Sequence, residues 1–291
     1  MNNAKKFPMK NFKKLPRRDF IQLSALSVAG ATLGLAGCAT GKVAKKKIPV
    51  GVELYSVRED CKKDFPGTIA AVAKMGFAGV EFAGYWNRSA GEIKKMLHDN
   101  GIVACGSHTP SEMVLSPDKL EATIEFNQTI GNKFIIVPDM TGATRAIWLE
   151  KAKKFNDIAA QLAPLGLSIG YHSHFHDFHA VEGALPWEIF GENTNPEVIL
   201  QLDTSNCCDG GADPVAELKK FPGRTRSIHI KPNGGGAESV IGEDKIEWPS
   251  VFEICETSGG TQWYVVEHET SKVPLATVER TFAALKKFGK V

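Results

Sequence analysis

The 291-residue sequence lacks several features that assign a chain to a common class. It has six cysteines but no CxxC pair, so neither a zinc ribbon nor a thioredoxin-type redox site is expected. Its main apolar run, residues 21–37, is too short and too rich in glycine and alanine to span a membrane comfortably. The first predicted strand continues into Leu54-Tyr55-Ser56-Val57-Arg58, not into a glycine-rich phosphate loop, which argues against a doubly wound nucleotide-binding fold.

The body of the chain also lacks positive charge. The whole chain has a formal net charge of +2, but residues 1–47 carry eleven Lys or Arg and one acidic residue, which leaves −8 for residues 48–291. A cationic surface for nucleic acid or for anionic lipid is therefore not expected, and no nucleic-acid partner is predicted.

The N-terminal residues have the pattern of an export signal. A basic stretch at residues 5–18 precedes the short apolar run. Arg17-Arg18-Asp19-Phe20-Ile21 is similar to a twin-arginine export motif, and Leu35-Ala36-Gly37-Cys38 is similar to a lipobox, in which Cys38 receives the lipid. The alternative is an ordinary N-terminal helix with an incidental cysteine.

These motifs predict a signal peptide at residues 1–37 and a lysine-rich tether at residues 38–47. The mature protein is then a lipoprotein exported by the twin-arginine route, facing the periplasm or the cell exterior. It would contact the membrane through the lipid anchor only.

Residues 48–291 show eight strand signals that alternate with eight helix signals. The strand signals are β-branched or apolar runs at residues 50–54, 79–82, 103–107, 134–137, 167–171, 198–202, 227–230 and 264–266. Several of the helical segments end at a glycine, as helices commonly do. Strict alternation predicts an α/β fold with a parallel sheet, and eight units in about 250 residues predict a single (β/α)8 TIM barrel.

Ionisable residues stand at nearly every predicted strand end, where barrels of this kind build their active sites. Those after strands five to eight combine imidazole with carboxylate: His172, Asp203, His229 and Glu267. Such mixed ligands suit Mn²⁺, Co²⁺, Fe²⁺ or Zn²⁺ and predict a divalent metal site. His174 competes with His172 as a ligand, since residues i and i+2 of a strand share a face. The alternative is a histidine-rich loop that only makes local hydrogen bonds.

Seven short motifs are distributed over residues 48–290. They are GVELYSVR from Gly51, GVEF from Gly79, YHSH from Tyr171, LDTSN from Leu202 with GGADP from Gly210, IHIK from Ile228 and VVE from Val265. Their order and spacing resemble the sugar phosphate isomerase/epimerase family of xylose-isomerase-like barrels. That family includes tagatose-type 3-epimerases, hydroxypyruvate isomerase, inosose dehydratase and 3-keto-glycoside-cleaving enzymes.

The resemblance implies a metal held by Glu, Asp, His and Glu on strands five to eight. Asp203, His229 and Glu267 match the last three positions, but His172 stands at the first. In the 3-epimerases the strand-five glutamate is one of two acid/base residues, so its replacement argues against simple ketose 3-epimerisation. The YHSH motif looks more like the dehydratase and keto-glycoside branches.

The sequence therefore predicts a metal-dependent enzyme that removes a proton beside the polarised carbonyl of a sugar or keto-sugar. The outcome would be isomerisation, epimerisation or β-elimination, and the favoured metals are Mn²⁺, Zn²⁺ and Co²⁺. Glu267 or Glu81 is the predicted base, His108 or His174 is placed to pass the proton on, and Lys231 to steady an enediolate oxygen.

The predicted substrate is a small carbohydrate. Its candidate binding residues are His174, Glu53, Trp86 and Phe175, the last two as rings that stack on a sugar face. A lipid-tethered carbohydrate-binding barrel without turnover is the main alternative. A metal-dependent endonuclease is a third, disfavoured by the acidic body and the export signal. The oligomeric state is left open.

Overall fold

The computed structural model describes residues 47–291. The predicted signal peptide, Cys38 and most of the predicted tether lie outside the described residues.

Eight short parallel strands form one sheet. They are β1 (Val50–Glu53), β2 (Gly79–Phe82), β3 (Val103–His108), β4 (Phe134–Val137), β5 (Ser168–His172), β6 (Ile199–Gln201), β7 (Ser227–Ile230) and β8 (Trp263–Val266). Every strand was predicted to within one residue at each end, because buried parallel strands are short apolar runs bounded by turn residues.

The strands follow one another around a nearly closed barrel. Their order is β6-β5-β4-β3-β2-β1-β8-β7, and every neighbouring pair is parallel. At the remaining seam, β6 and β7 meet through an isolated parallel bridge between Asp203 and His229. There His229 N–H donates to Leu202 C=O at 2.9 Å. The predicted single TIM barrel is confirmed.

Eleven α-helices lie between and after the strands of the described chain. They are α1 (Arg58–Lys63), α2 (Phe65–Met75), α3 (Ala90–Asp99), α4 (Ser111–Leu115), α5 (Pro117–Ile130), α6 (Arg145–Leu162), α7 (Pro186–Asn193), α8 (Thr204–Asp209), α9 (Pro214–Lys220), α10 (Trp248–Thr257) and α11 (Pro274–Lys287). Short 3₁₀ turns at Leu54–Val57, Ala163–Leu165 and Phe175–Phe178 complete the connections.

The described chain has three more helices than the eight predicted. The additional ones, α1, α4 and α8, are short helices in the connections that follow β1, β3 and β6. A helix of five or six residues has too few turns to show an apolar period, so its sequence gives little signal. These connections lie at the carboxyl ends of the strands, where barrel enzymes build their sites.

The core lies between the sheet and the surrounding helices. Ile69 and Val72 of α2, and Phe155 and Leu162 of α6, are almost fully buried against it. The predicted glycine ends are present: Gly76 ends α2 with φ of 107°. None of the helices in residues 47–291 is both long and apolar enough to cross a membrane.

Candidate active site at the carboxyl ends of the strands

Four buried side chains from β5 to β8 and their ends meet at the seam of the barrel. One ligand atom from each of His172, Asp203, His229 and Glu267 lies within 4.8 Å of the others. These are the four residues that the sequence predicted as metal ligands. The structure brings them together without His174, whose ring lies beside that of His172 at a centroid distance of 5.1 Å.

His229 lies between two carboxylates. Its Nδ1 is 2.8 Å from Glu267 Oε2 and its Nε2 is 2.6 Å from Glu81 Oε2. Burial favours the neutral ring, but the charges and hydrogen bonds of Glu267 and Glu81 outweigh it and raise the pKa of His229 well above its ordinary value. In this structure both nitrogens of the ring therefore donate.

Asp203 has one engaged oxygen and one unengaged oxygen. Oδ1 accepts from the Asn206 N–H at 2.7 Å and so caps α8. Oδ2 is buried and has no hydrogen-bond partner among the described residues, and the closest cation, Lys231 Nζ, is 3.6 Å away. Burial raises the pKa of Asp203 to about 8, although Lys231 partly opposes it.

Lys231 supplies positive charge to the carboxylates of the seam. Its Nζ lies 3.8 Å from Glu267 Oε2 and forms an ion pair with Glu269. Burial of Glu267 raises its pKa, but Lys231 and His229 outweigh that effect and hold the pKa well below the ordinary value. Glu267 is therefore an ionised carboxylate in this arrangement.

Gln201 of β6 was not singled out from the sequence, yet it joins three predicted site residues. Its Oε1 lies 3.0 Å from His108 Nε2 and 3.1 Å from His172 Nδ1. Its Nε2 donates to both oxygens of Glu81 at 3.1 Å and to Ser227 Oγ at 2.9 Å. A polar residue inside an otherwise apolar strand was the available signal, since a buried amide requires partners.

Glu81 and Glu53 lie below the mouth of the barrel. Both are fully buried, and neither is among the residues that line the cavity. Gly106 of β3 makes room for Glu81, because a Cβ there would lie 2.0 Å from Glu81 Oε1. Glu53 Oε1 accepts from the Tyr55 N–H at 3.2 Å, and burial together with Glu81 raises the pKa of Glu53 well above its ordinary value.

A cavity of about 630 Å³ opens above this group. It is lined by Tyr55, Ala83, Gly84, Tyr85, His108, Thr109, Pro110, Met113, Thr123, Phe126, Asn127, Pro138, His172, His174, Glu267 and Glu269. Two predicted stacking rings lie outside this lining: Trp86 stacks on Phe65 at a centroid distance of 4.8 Å, and Phe175 is 49% exposed. Lys231 is buried and is not among the lining residues.

The seam residues suit a divalent cation. They offer two imidazoles and two carboxylates, the mixed nitrogen and oxygen set of catalytic Zn²⁺ and Mn²⁺ sites. The unengaged Asp203 Oδ2 is an acceptor that needs a cation or a donor. The contact between His172 Nδ1 and Gln201 leaves His172 Nε2 as the ligand atom, an orientation typical of metal-binding histidines.

The family described as "Xylose isomerase-like TIM barrel" matches residues 69–288. This chain belongs to that family. The xylose-isomerase-like barrel predicted from the motifs is therefore confirmed.

Two kinds of relative are similar to the chain over most of its length. An inosose dehydratase of Bacillus cereus (strain AH820) is 23% identical over 248 residues, which cover 70% of this chain and 82% of the relative. A crystal structure of a sugar phosphate isomerase/epimerase from Parabacteroides distasonis superposes with a TM-score of 0.72 at 23% identity, and covers 82% of this chain and 98% of that one.

The same fold also serves other chemistry. The crystal structure of an AP endonuclease, family 2, from Brucella melitensis superposes with a TM-score of 0.62 at 17% identity, and covers 83% of this chain and 98% of that one. At these identities the superpositions establish the fold alone, so the reaction has to be argued from the site.

Proposed function

We propose that the protein is a divalent-metal-dependent enzyme that removes a proton beside the carbonyl of a keto-sugar and eliminates a substituent from the next carbon. The observation that carries the proposal is the buried group of His172, Asp203, His229 and Glu267, of which His172 and Glu267 line a large cavity. The dehydratase and isomerase/epimerase relatives support this class of chemistry.

His172, Asp203, His229 and Glu267 would hold the metal. A bound divalent cation supplies Lewis acidity, which polarises a carbonyl and makes the neighbouring C–H bond more acidic. Binding also requires His229 to give up a proton that it holds between Glu267 and Glu81, so metal binding releases protons.

Glu267 is the base in this proposal. It is ionised, lines the cavity and is 3% exposed, whereas Glu81 is not on the cavity wall. For a 3-keto-glycoside, the C2–H bond breaks and its proton moves to Glu267. The bonding pair forms the C1–C2 double bond while the C1–O bond breaks, and the departing oxygen leaves with its electron pair.

His174 is the proton donor to the departing oxygen. It lines the cavity, and the donor is its protonated ring; burial lowers the pKa of His174, and Asp139, whose Oδ1 lies 3.9 Å from His174 Nδ1, opposes that effect and favours the protonated form. The proton that the departing oxygen takes from His174 completes the release of an alcohol. One base on one side of the substrate favours elimination over two-base epimerisation.

The test is metal analysis of the purified full chain, followed by NMR of methyl 3-keto-β-D-glucoside in D₂O. We expect stoichiometric Mn²⁺ or Zn²⁺, release of methanol and an unsaturated or hydrated sugar product. Glu267→Gln should lose at least about 100-fold in kcat, because the amide cannot accept a proton. Glu269→Gln, a neighbouring carboxylate on the same wall, is the matched control and should lose far less.

Two outcomes would contradict the proposal. One is inversion of the carbon beside the carbonyl without release of methanol, which would indicate an epimerase. The other is equal loss of activity in the two variants.

A carbohydrate-binding barrel without turnover remains the second candidate. The observation that favours it is His172 at the position where the family has a glutamate. Micromolar binding of the keto-glucoside with no product in the same NMR experiment would support this candidate.

A further inference from the structure

The lining of the cavity contains two chemically unlike groups of residues. One group, here called the polar end, is His108, His172, His174, Glu267 and Glu269. The other group, here called the apolar lobe, is Tyr85, Pro110, Met113, Phe126 and Pro138, which come from the connections after β2, β3 and β4. Both groups line one cavity, so a single ligand can contact both.

The wall of the apolar lobe is built from separate connections. Tyr85 follows β2, Met113 lies on the short helix α4, and Phe126 lies on α5. The Tyr85 and Phe126 rings pack at a centroid distance of 4.1 Å, and Thr123 Oγ1 donates to Met113 C=O at 3.3 Å, which ties α4 to α5. Tyr85, Met113 and Phe126 are only partly buried, so they present apolar surface to the cavity.

The polar side chains beside the apolar lobe are already engaged with the protein. Asn127 Oδ1 accepts from Ser107 Oγ at 3.0 Å and from Asn132 Nδ2 at 2.7 Å, and Asn127 Nδ2 donates to Thr123 C=O at 2.8 Å. Thr123 Oγ1 also donates to Lys119 C=O at 2.9 Å. A hydroxyl-rich ligand group in the lobe would therefore lose its hydrogen bonds to water without replacing them, which is unfavourable.

The size of the cavity also indicates a ligand that is larger than one sugar ring. About 630 Å³ lies in the range that encloses drug-sized ligands, and a lone sugar ring is far smaller than those. A sugar ring at the polar end would leave the apolar lobe without a ligand group, and apolar surface is stabilised when an apolar group covers it.

We propose that the substrate is a keto-sugar whose leaving group is an apolar alcohol or phenol, and that the apolar lobe binds this leaving group. The inference rests on the proposed function for the polar end and extends it to the class of substrate. The apolar lobe and the engaged side chains of Thr123 and Asn127 favour such a leaving group over a second sugar.

The test is a homologous series of 3-keto-β-D-glucosides with methyl, propyl, butyl and hexyl leaving groups. Each added methylene buried in the lobe should raise kcat/KM about fourfold until the lobe is filled. The same increments are expected in the affinity of the unoxidised alkyl glucosides, measured by calorimetry without any turnover. The 3-keto derivative of the disaccharide cellobiose should bind no better than the methyl compound.

Met113→Gln is nearly isosteric and adds an amide to the lobe, so it should reduce the gain per methylene to less than twofold. Met96→Gln on α3, outside the cavity, is the matched control and should keep the wild-type increments. Met113→Leu keeps the lobe apolar and should also keep them.

The inference and the proposed function fail in different ways. Affinity that rises with each added methylene, in the absence of turnover, would support binding of the leaving group in the apolar lobe and would refute the catalytic proposal. Turnover of the methyl compound with no gain from longer chains, or tighter binding of the disaccharide, would overturn the inference and leave the proposed function standing.

Discussion

The two ring nitrogens of His229 have different neighbours, and this assigns them different roles. Glu267 and Asp203 both lie on the Nδ1 side, with Asp203 Oδ2 at 3.8 Å, so Nδ1 is the ligand atom for a metal held by these residues. Nε2 donates to Glu81, a carboxylate that fixes the ring in the orientation the metal requires. We therefore propose that Glu81 acts as a positioning residue for His229 and not as the base.

Substitution of Gln201 should weaken metal binding as much as substitution of a metal ligand does, although Gln201 is not itself a ligand. Gln201→Leu removes the hydrogen bonds to Glu81, His108 and His172, and leaves a buried carboxylate poorly satisfied. We expect metal affinity to fall roughly 10- to 100-fold and the free energy of unfolding to fall by about 2 kcal/mol or more. Metal titration and chemical denaturation measure the two effects.

Gln128→Leu on the exposed face of α5 is the matched control for Gln201→Leu and should change neither quantity. Unchanged metal affinity in Gln201→Leu would show that the histidines keep their orientation without the amide.

Asp177 gives the barrel a pH-dependent stability. Burial raises its pKa to about 7, although the His174 N–H and the Tyr171 hydroxyl partly offset this by donating to it. The folded state therefore holds this proton up to about pH 7, whereas the unfolded chain releases it near pH 4. Because the folded state binds more protons in that interval, the contribution of Asp177 to stability falls as pH rises through it.

Asp177→Asn should remove this contribution. As the pH rises from 4 to 7, we expect the unfolding free energy of the wild type to fall relative to that of the variant. Denaturant titrations at several pH values measure it, with the exposed Asp157→Asn as a control. A constant difference across these pH values would mean that Asp177 is ionised throughout.

At the scale of elements, the seam between β6 and β7 combines structural and chemical roles. The last bridge of the barrel joins Asp203 to His229, and Asp203 also caps α8. Thr204 Oγ1 accepts from the Lys231 N–H at 3.0 Å, which adds a side-chain link across the same seam. The residues that close the barrel are therefore also candidate metal ligands.

Substitutions of Asp203 should separate its two roles. Asp203→Asn keeps an oxygen for the Asn206 N–H but removes the charge, so it should lose the metal while it retains the stability of the metal-free protein. Asp203→Ala should lose the metal and also about 1 kcal/mol of stability, the usual cost of a lost cap. Metal analysis and thermal unfolding in EDTA measure these two quantities.

Asp213 provides the matched control for Asp203, because it caps α9 in the same way, with the Val215 N–H at 3.0 Å, but lies on the exposed surface. Asp213→Ala should lose stability and keep the metal. Stoichiometric metal in both Asp203 variants would place the metal site elsewhere.

At the scale of the whole molecule, the charge distribution supports a protein of two parts. The acidic barrel carries −8 in residues 48–291, while the basic residues are concentrated in residues 1–47. We propose that this N-terminal segment directs export by the twin-arginine route and anchors the barrel through a lipid on Cys38. This route carries folded proteins, so the metal can be loaded before export.

Substitution of the lipid attachment residue tests the anchor. Cys38→Ser should move the protein from the membrane fraction to the soluble fraction, as measured by detergent partitioning and mass spectrometry of the N-terminus. Replacing Arg17 and Arg18 together by lysine should leave precursor in the cytoplasm. Identical partitioning of wild type and Cys38→Ser, with an unmodified wild-type N-terminus, would refute the lipoprotein assignment.

The sequence by itself determined the eight strands, the barrel and four residues that converge at its seam. This was possible because strand signals are local, and the alternation of strands and helices implies a topology whose strand ends meet at one face. His172, Asp203, His229 and Glu267 could be grouped before any distance was known, because each stands at such an end.

Only the tertiary structure decided which other polar residues contact the side chains of the site. Gln201 joins Glu81, His108 and His172 across the barrel interior, and no local pattern specifies contacts between such distant segments. The apolar lobe likewise forms from connections after three strands, each of which has an ordinary loop sequence by itself. Local periodicity encodes the frame, whereas the shape and partners of a site depend on how distant side chains pack.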